Sequence, residues 1–154
     1  MELVNCSKDD FNQILLHIKE FWGSDRTLHL HHPILINEFG NTAFTFKEGN
    51  TVCAYLFGFY SQTHPIAYVH LIAVRNNYRR LGLGRRLYEH FIECAREKHC
   101  LKVKAITKPT NFESIVFHKS IGMELTGNSE INGVSVVLDY SGPGEHRVVF
   151  IKDI

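Results

Sequence analysis

Residues 68–87 read YVHLIAVRNNYRRLGLGRRL, an apolar run that ends at Val74 and passes into arginines and glycines. The full run IAYVHLIAV (66–74) is rich in β-branched and aromatic residues, which predicts a strand buried on both faces. Beyond the junction, Leu83, Leu87, Phe91, Ile92 and Ala95 fall on one stripe, predicting a helix from Gly82 to about His99. Helix starts carry partial positive charge and normally attract Asp or Glu. Here Arg79, Arg80, Arg85 and Arg86 surround the helix start, and no acidic residue occurs between Glu48 and Glu89. The reversal asks for an anion from outside. Glycine at 82 and 84 removes the Cβ atoms that would hold a ligand away from the main chain. A diphosphate cradled by amides and flanked by guanidiniums suits this pattern; a solvated basic helix start is the plain alternative.

Working outward, LKVKAIT (101–107) alternates as a strand, so strand, helix and strand form a parallel crossover unit. Upstream, residues 2–5 predict a short strand. Ser7 or Asp9 then caps a helix with Phe11, Ile14, Leu15, Ile18 and Phe21 on one face, ending at Gly23. HLHHP (29–33) connects to a short helix in ILINEF (34–39). TAFTFKE (42–48), the turn Gly49-Asn50 and TVCAYLFGFYSQ (51–62) read as an antiparallel hairpin. Downstream, Thr110-Asn111-Phe112-Glu113 has the form of a capping box, and Gly122 closes that helix. Val134, Val136, Leu138 and Tyr140 alternate as a strand, and Gly142-Pro143-Gly144 turns the chain into RVVFIKDI (147–154). The expected fold is α/β (α+β): one domain, 1–154, with a mixed central sheet of about six to seven strands and about four flanking helices.

Composition narrows the function classes. The 154 residues are 44% hydrophobic and 21% charged with a net charge of +1, which argues against a nucleic-acid polyelectrolyte. No apolar run reaches the roughly 20 residues of a membrane span. MELVNCSKDD (1–10) lacks the form of a secretory leader, and Cys6, Cys53, Cys94 and Cys100 form no CxxC pair, so a cytoplasmic protein with reduced thiols is expected. Neither a dinucleotide fingerprint nor a P-loop is present: Leu87 stands where GxGxxG needs its third glycine. His29, His31 and His32 lack a Cys, Asp or Glu at ligand spacing, so no metal site is expected.

The pattern that fits is Arg79-x-x-Gly82-x-Gly84 after a strand ending LIAV. It resembles the [Q/R]-x-x-G-x-[G/A] motif of the GNAT superfamily of acetyl-CoA-dependent N-acyltransferases. A second motif of that superfamily is similar to Asn111-x-x-Ser114-x-x-x-His118-x-x-x-Gly122-Met123, and the element order is similar over essentially the whole chain. The resemblance implies direct transfer of an acetyl group from acetyl-CoA to a primary amine of a small molecule or peptide in a ternary complex. A degenerate, non-catalytic acyl-CoA sensor of the same fold is the alternative, and a homodimer is a further family-level expectation.

The resemblance also implies site roles. The amides of Arg80, Leu81, Gly82, Leu83, Gly84 and Arg85 would hold the pyrophosphate, with Arg79 and Arg80 setting the loop and Arg85 or Arg86 contributing charge. Backbone at Ile72, Ala73 and Val74 would pair with the pantetheine arm between splayed parallel strands, one N–H polarising the thioester carbonyl. Asn111 and Ser114 would lie near the distal pantetheine. His118 replaces the superfamily's usual tyrosine acid and is either the proton donor to the thiolate or a packing residue. His70 is either the base, directly or through water, or a core histidine. The acceptor side is assigned to His31, Glu38 and Tyr68.

Overall fold

The computed structural model describes residues 1–154 as two compact units, residues 1–59 with 70–94 and residues 60–69 with 95–154. The strands are β1 (Glu2–Asn5), β2 (Ala43–Glu48), β3 (Thr51–Tyr60), β4 (Ile66–Val74), β5 (Lys102–Thr107), β6 (Glu124–Thr126), β7 (Ser129–Ile131), β8 (Val134–Val136) and β9 (Val148–Asp153). A mixed seven-stranded sheet has the order β1-β2-β3-β4-β5-β9-β6, and β7 pairs with β8 apart from it. The helices are α1 (Lys8–Leu16), α2 (Ile18–Trp22), α3 (Ile34–Asn37), α4 (Leu83–Glu97) and α5 (Phe112–Ser120). The architecture is therefore the expected mixed α/β type. The first expected helix is divided at His17, whose φ of −107° and ψ of 24° lie outside the helical range.

In the first unit, Ser7 caps α1: its Oγ accepts from the Asp10 amide at 3.1 Å, and Asp10 Oδ2 accepts from the Ser7 amide at 3.0 Å. Asp10 is buried and also pairs with Lys47 at 2.8 Å. Burial pushes its carboxyl up, but Lys47 and Ser7 outweigh that and hold it below the ordinary range. The same burial pushes the neighbouring Cys6 thiol up to about 12, so Cys6 is inert as a nucleophile. Helices α1 and α2 bury Phe11, Ile14, Ile18 and Phe21 with Val52, Tyr55, Phe57, Leu71 and Ala73 of the strands. Each of the larger apolar side chains among them stabilises the fold by about 2 kcal/mol. On β2 the alternate residues Phe44 and Phe46 meet α4 instead, Phe44 against the His90 ring at 4.6 Å and Phe46 under Arg86 at 4.6 Å.

Strand β4 departs from expectation. Ala67, Val69, Leu71 and Ala73 are buried, whereas Ile66, Tyr68, His70, Ile72 and Val74 are only half-buried. One face packs and the other lies partly open, because a row carrying Tyr and His keeps its polar atoms within reach of partners or water.

In the second unit, the parallel β4–β5 ladder runs from Ile66–Lys102 to Val69–Ala105. Strand β9 pairs antiparallel with both β5 and β6. The expected long strand over 134–140 is only β8; it hairpins with β7, and Leu138 and Tyr140 lie in an exposed loop. Asp139 breaks the strand with a positive φ of 54°. Gly127 (φ +114°) cannot be replaced without rearrangement, since a Cβ there would stand 2.1 Å from the Val136 carbonyl oxygen. Asn111, not Thr110, caps α5, its Oδ1 accepting from the Ser114 amide at 3.2 Å. The last turn of α5 is closed by Lys152, whose Nζ donates to the Ile121 carbonyl at 3.0 Å.

Candidate functional site

Within the first unit, the chain leaves β4 at Val74, makes one 3-10 turn over Asn76–Tyr78 and enters α4 at Leu83. Two residues bend it sharply, Arg80 with φ +64° and Gly82 with φ +77°. A Cβ on Gly82 would meet nothing within 4 Å, so the left-handed backbone, not crowding by the protein, calls for glycine there. The Arg86 amide is the first to bond back inside α4, to the Gly82 carbonyl at 3.1 Å. By helix geometry the amides of Leu83, Gly84 and Arg85 are the end's outward donors. No acid lies in the first turn. A positive helix end joined to exposed Arg80 and Arg85 fits a phosphate-bearing group.

The arginines divide by role. Arg75 is not part of the anion set: it pairs with Glu20 at 2.7 Å, donates to the Val52 carbonyl at 2.9 Å and to Gln13 Oε1 at 3.1 Å, and lies over the Phe21 ring. Arg79 reaches back to the carbonyls of Val74 at 3.4 Å and Phe21 at 3.2 Å, fixing the loop to the end of α2. Arg86 spends its charge on the Phe46 ring. Arg80 at the bend and Arg85 at the helix start are exposed, as are Arg79 and Arg86.

His70 lies on the half-open row of β4 with Ile72 and Val74, while Ala73 faces the core. Its ring hydrogen-bonds the Leu30 carbonyl, and burial holds its pKa below the ordinary histidine value despite that bond. The imidazole is thus neutral at pH 7, the form that accepts a proton. Phe59 flanks it, ring centroids 6.4 Å apart. His31 has a different setting. It is buried, with Nδ1 donating to the Thr27 carbonyl at 2.8 Å and Nε2 accepting from the Tyr55 hydroxyl at 2.7 Å. Trp22 Nε1 in turn donates to the Tyr55 oxygen at 2.6 Å. This chain of three side chains ties α2, the 29–33 connection and β3 together, and burial holds His31 neutral. Glu38 ends α3 and is exposed.

In the second unit, Asn111 is committed to capping α5, and Ser114 and His118 follow one and two turns on. His118 is buried, stacked on Phe150 at 4.3 Å, with Nδ1 2.7 Å from the Ser114 carbonyl. A carbonyl at that distance requires the proton on Nδ1, which makes Nε2 of the neutral ring an acceptor. Burial pushes its pKa down to about 4. At neutral pH this ring has no spare proton for a thiolate. The linkage sign follows: above about pH 6.5 neither folded nor unfolded His118 is charged, and below it only the unfolded chain takes the proton. Stability should therefore fall by about 3 kcal/mol between about pH 6.5 and 4, with His31 and His70 acting in the same sense. Urea midpoints across that range check this, and His118→Gln should flatten the His118 share. Tyr68 is raised to about 12, first by burial and then by Tyr140, against the pull of Arg147. It faces Lys104 across the parallel ladder, and Lys104 lies over the Tyr140 ring at 5.5 Å.

Leu30, Phe59, Gln13 and Glu20 escaped sequence reasoning. Leu30 acts through a backbone carbonyl, which no side chain advertises, and Glu20 lies 55 residues from its arginine.

The family model described as "Acetyltransferase (GNAT) family" matches residues 8–123. Among solved structures, the ribosomal-protein-S18-alanine N-acetyltransferase of Escherichia coli superposes with TM-score 0.69 at 16% identity, covering 99% of this chain and 93% of that one. Naa20 of Chaetomium thermophilum, solved with a bisubstrate analogue, gives TM-score 0.75 at 18% identity over 100% of this chain and 87% of its own. A Bacillus subtilis acetyltransferase in complex with CoA gives 0.63 at 15% identity over 99% and 97%. No curated protein matches the chain in sequence.

Proposed function

The chain belongs to the acetyltransferase (GNAT) family, and from that membership we propose that it transfers an acetyl group from acetyl-CoA directly to a primary amine of a small molecule or peptide. Residues 1–154 would act as one catalytic domain. The observation that carries the reading is the acid-free start of α4, where the main chain bends at Arg80 and Gly82 and turns amides outward. In this proposal the amides from Leu81 to Arg85 hold the pyrophosphate of CoA, with Arg80 and Arg85 adding charge and Arg79 shaping the loop. Backbone of Ile72, Ala73 and Val74 receives the pantetheine arm, and one N–H there stabilises the oxygen that gains charge on attack. Ser114 lies toward the distal arm. His70, neutral and anchored to Leu30, takes the ammonium proton directly or through a water, leaving a nucleophilic amine. Acetyl-CoA as substrate brings the thioester.

His118 is assigned no acid role, because its proton is held by the Ser114 carbonyl. That same observation favours a second reading, an acyl-CoA sensor without turnover. Two measurements separate them. Calorimetric binding of CoA together with thiol release across amines, polyamines, aminoglycosides and peptides is the expected result for an enzyme. Binding with no release from any acceptor would establish the sensor, and no binding would overturn both.

A further inference from the structure

Two residues of the first unit with exposed apolar side chains are linked to His70, Leu30 through its backbone carbonyl and Phe39 through the Phe59 ring. Leu30, 39% exposed, supplies the carbonyl that receives the His70 ring N–H. Phe39, 37% exposed, rests on Phe59 with ring centroids 5.4 Å apart, and Phe59 in turn lies 6.4 Å from the His70 ring. An exposed Leu or Phe taken singly is unremarkable on a protein surface. A row that begins in solvent at Phe39, continues through Phe59 and ends on the ring assigned as base is a different matter. An amine presenting its nitrogen to His70 would have this row beside it for its carbon body.

From this juxtaposition we infer that the acceptor is an amine carrying an apolar tail, with Phe39 as the specificity-determining residue and the exposed Leu30 side chain, whose backbone holds His70, beside the same ring. The inference rests on the transferase reading above and deepens it. Apolar lining acts twice on such a substrate. It gains the transfer free energy of the tail, and it disfavours the ammonium form of the nitrogen, which brings the amine closer to its nucleophilic state. A cationic acceptor such as a polyamine would find at Phe39 only a ring face for its charge and would look to exposed Glu38, at the end of α3, for an ion partner.

The test is thiol release from acetyl-CoA with ethylamine, butylamine, hexylamine and spermidine, alongside calorimetric CoA binding. The expected result is kcat/KM rising about threefold per added methylene, with spermidine below butylamine. Phe39→Ala should flatten the alkyl series by raising KM for hexylamine about tenfold. It should leave ethylamine turnover and CoA affinity as they were, and Phe39→Leu should restore most of the slope. Leu30→Asn, which keeps the backbone carbonyl, provides a second variant should Phe39→Ala not fold. A flat alkyl series with measurable turnover, or spermidine as the best acceptor, would overturn the apolar-tail inference and leave the transferase reading standing. CoA binding without turnover on any amine would overturn the transferase reading itself, and the inference with it.

Discussion

Replacing His70 with alanine is expected to lower kcat by roughly 100-fold at pH 6, the contribution of a positioned general base, while CoA affinity stays within a factor of about two. Burial keeps the His70 pKa below the ordinary histidine value, so the unaltered protein should hold its base form down through pH 7 and lose activity only as pH falls below that lowered value. The variant should instead gain activity with a slope of about one per pH unit, as free amine becomes available on its own. The gap between the two proteins should narrow toward high pH. His70→Gln provides the control, since its amide can still donate to the Leu30 carbonyl and hold the connection in place. If the glutamine variant recovers the rate and keeps the original pH profile, His70 serves the fold and not the proton.

The second large effect concerns the start of α4. Gly84→Val should weaken CoA binding on the order of 100-fold, because a branched side chain would crowd buried main chain whose amides are assigned to the pyrophosphate. Arg86→Ala should cost about threefold or less, since that guanidinium lies over the Phe46 ring and is not directed at the bend. Calorimetric titration of both variants, after circular dichroism confirms their folding, gives the ranking. Arg86→Ala as the more damaging change would overturn the assignment of the main chain as the principal anion holder.

The strand-to-helix junction was legible in the sequence because its signals are local: an apolar run, two glycines two apart and an absence of acids over forty residues. The hairpin at Gly49-Asn50 was legible for the same reason, and the Glu48–Thr51 pair closes it. Non-local relations were not. No acid lies near Arg75 in the sequence, yet α2 brings Glu20 to 2.7 Å from it. His118 stood in a motif position open to acid chemistry or to packing, and the motif could not show the helical carbonyl one turn back or the Phe150 ring that surround its imidazole. His31, grouped by sequence with His29 and His32, is separated from them by its burial and its bonds to Thr27 and Tyr55. The even hydrophobicity of 66–74 concealed which face of β4 is packed, since Tyr and Ile have similar strand preference whether half or fully covered.

The placement of β9 between β5 and β6 has a consequence for biosynthesis. Residues 148–153 form a ladder with strands that precede them by about forty and twenty residues, so β5 and β6 have no shared partner until those residues have left the ribosome. The second unit therefore cannot be completed vectorially, strand by strand, as the nascent chain emerges. Its pairing waits for the final insertion, a non-local step of the kind that slows folding. During that wait the β5 and β6 edges are templates for intermolecular association. A chain stopped before Val148 should be found in aggregates or with chaperones and not as a shortened, soluble acetyltransferase.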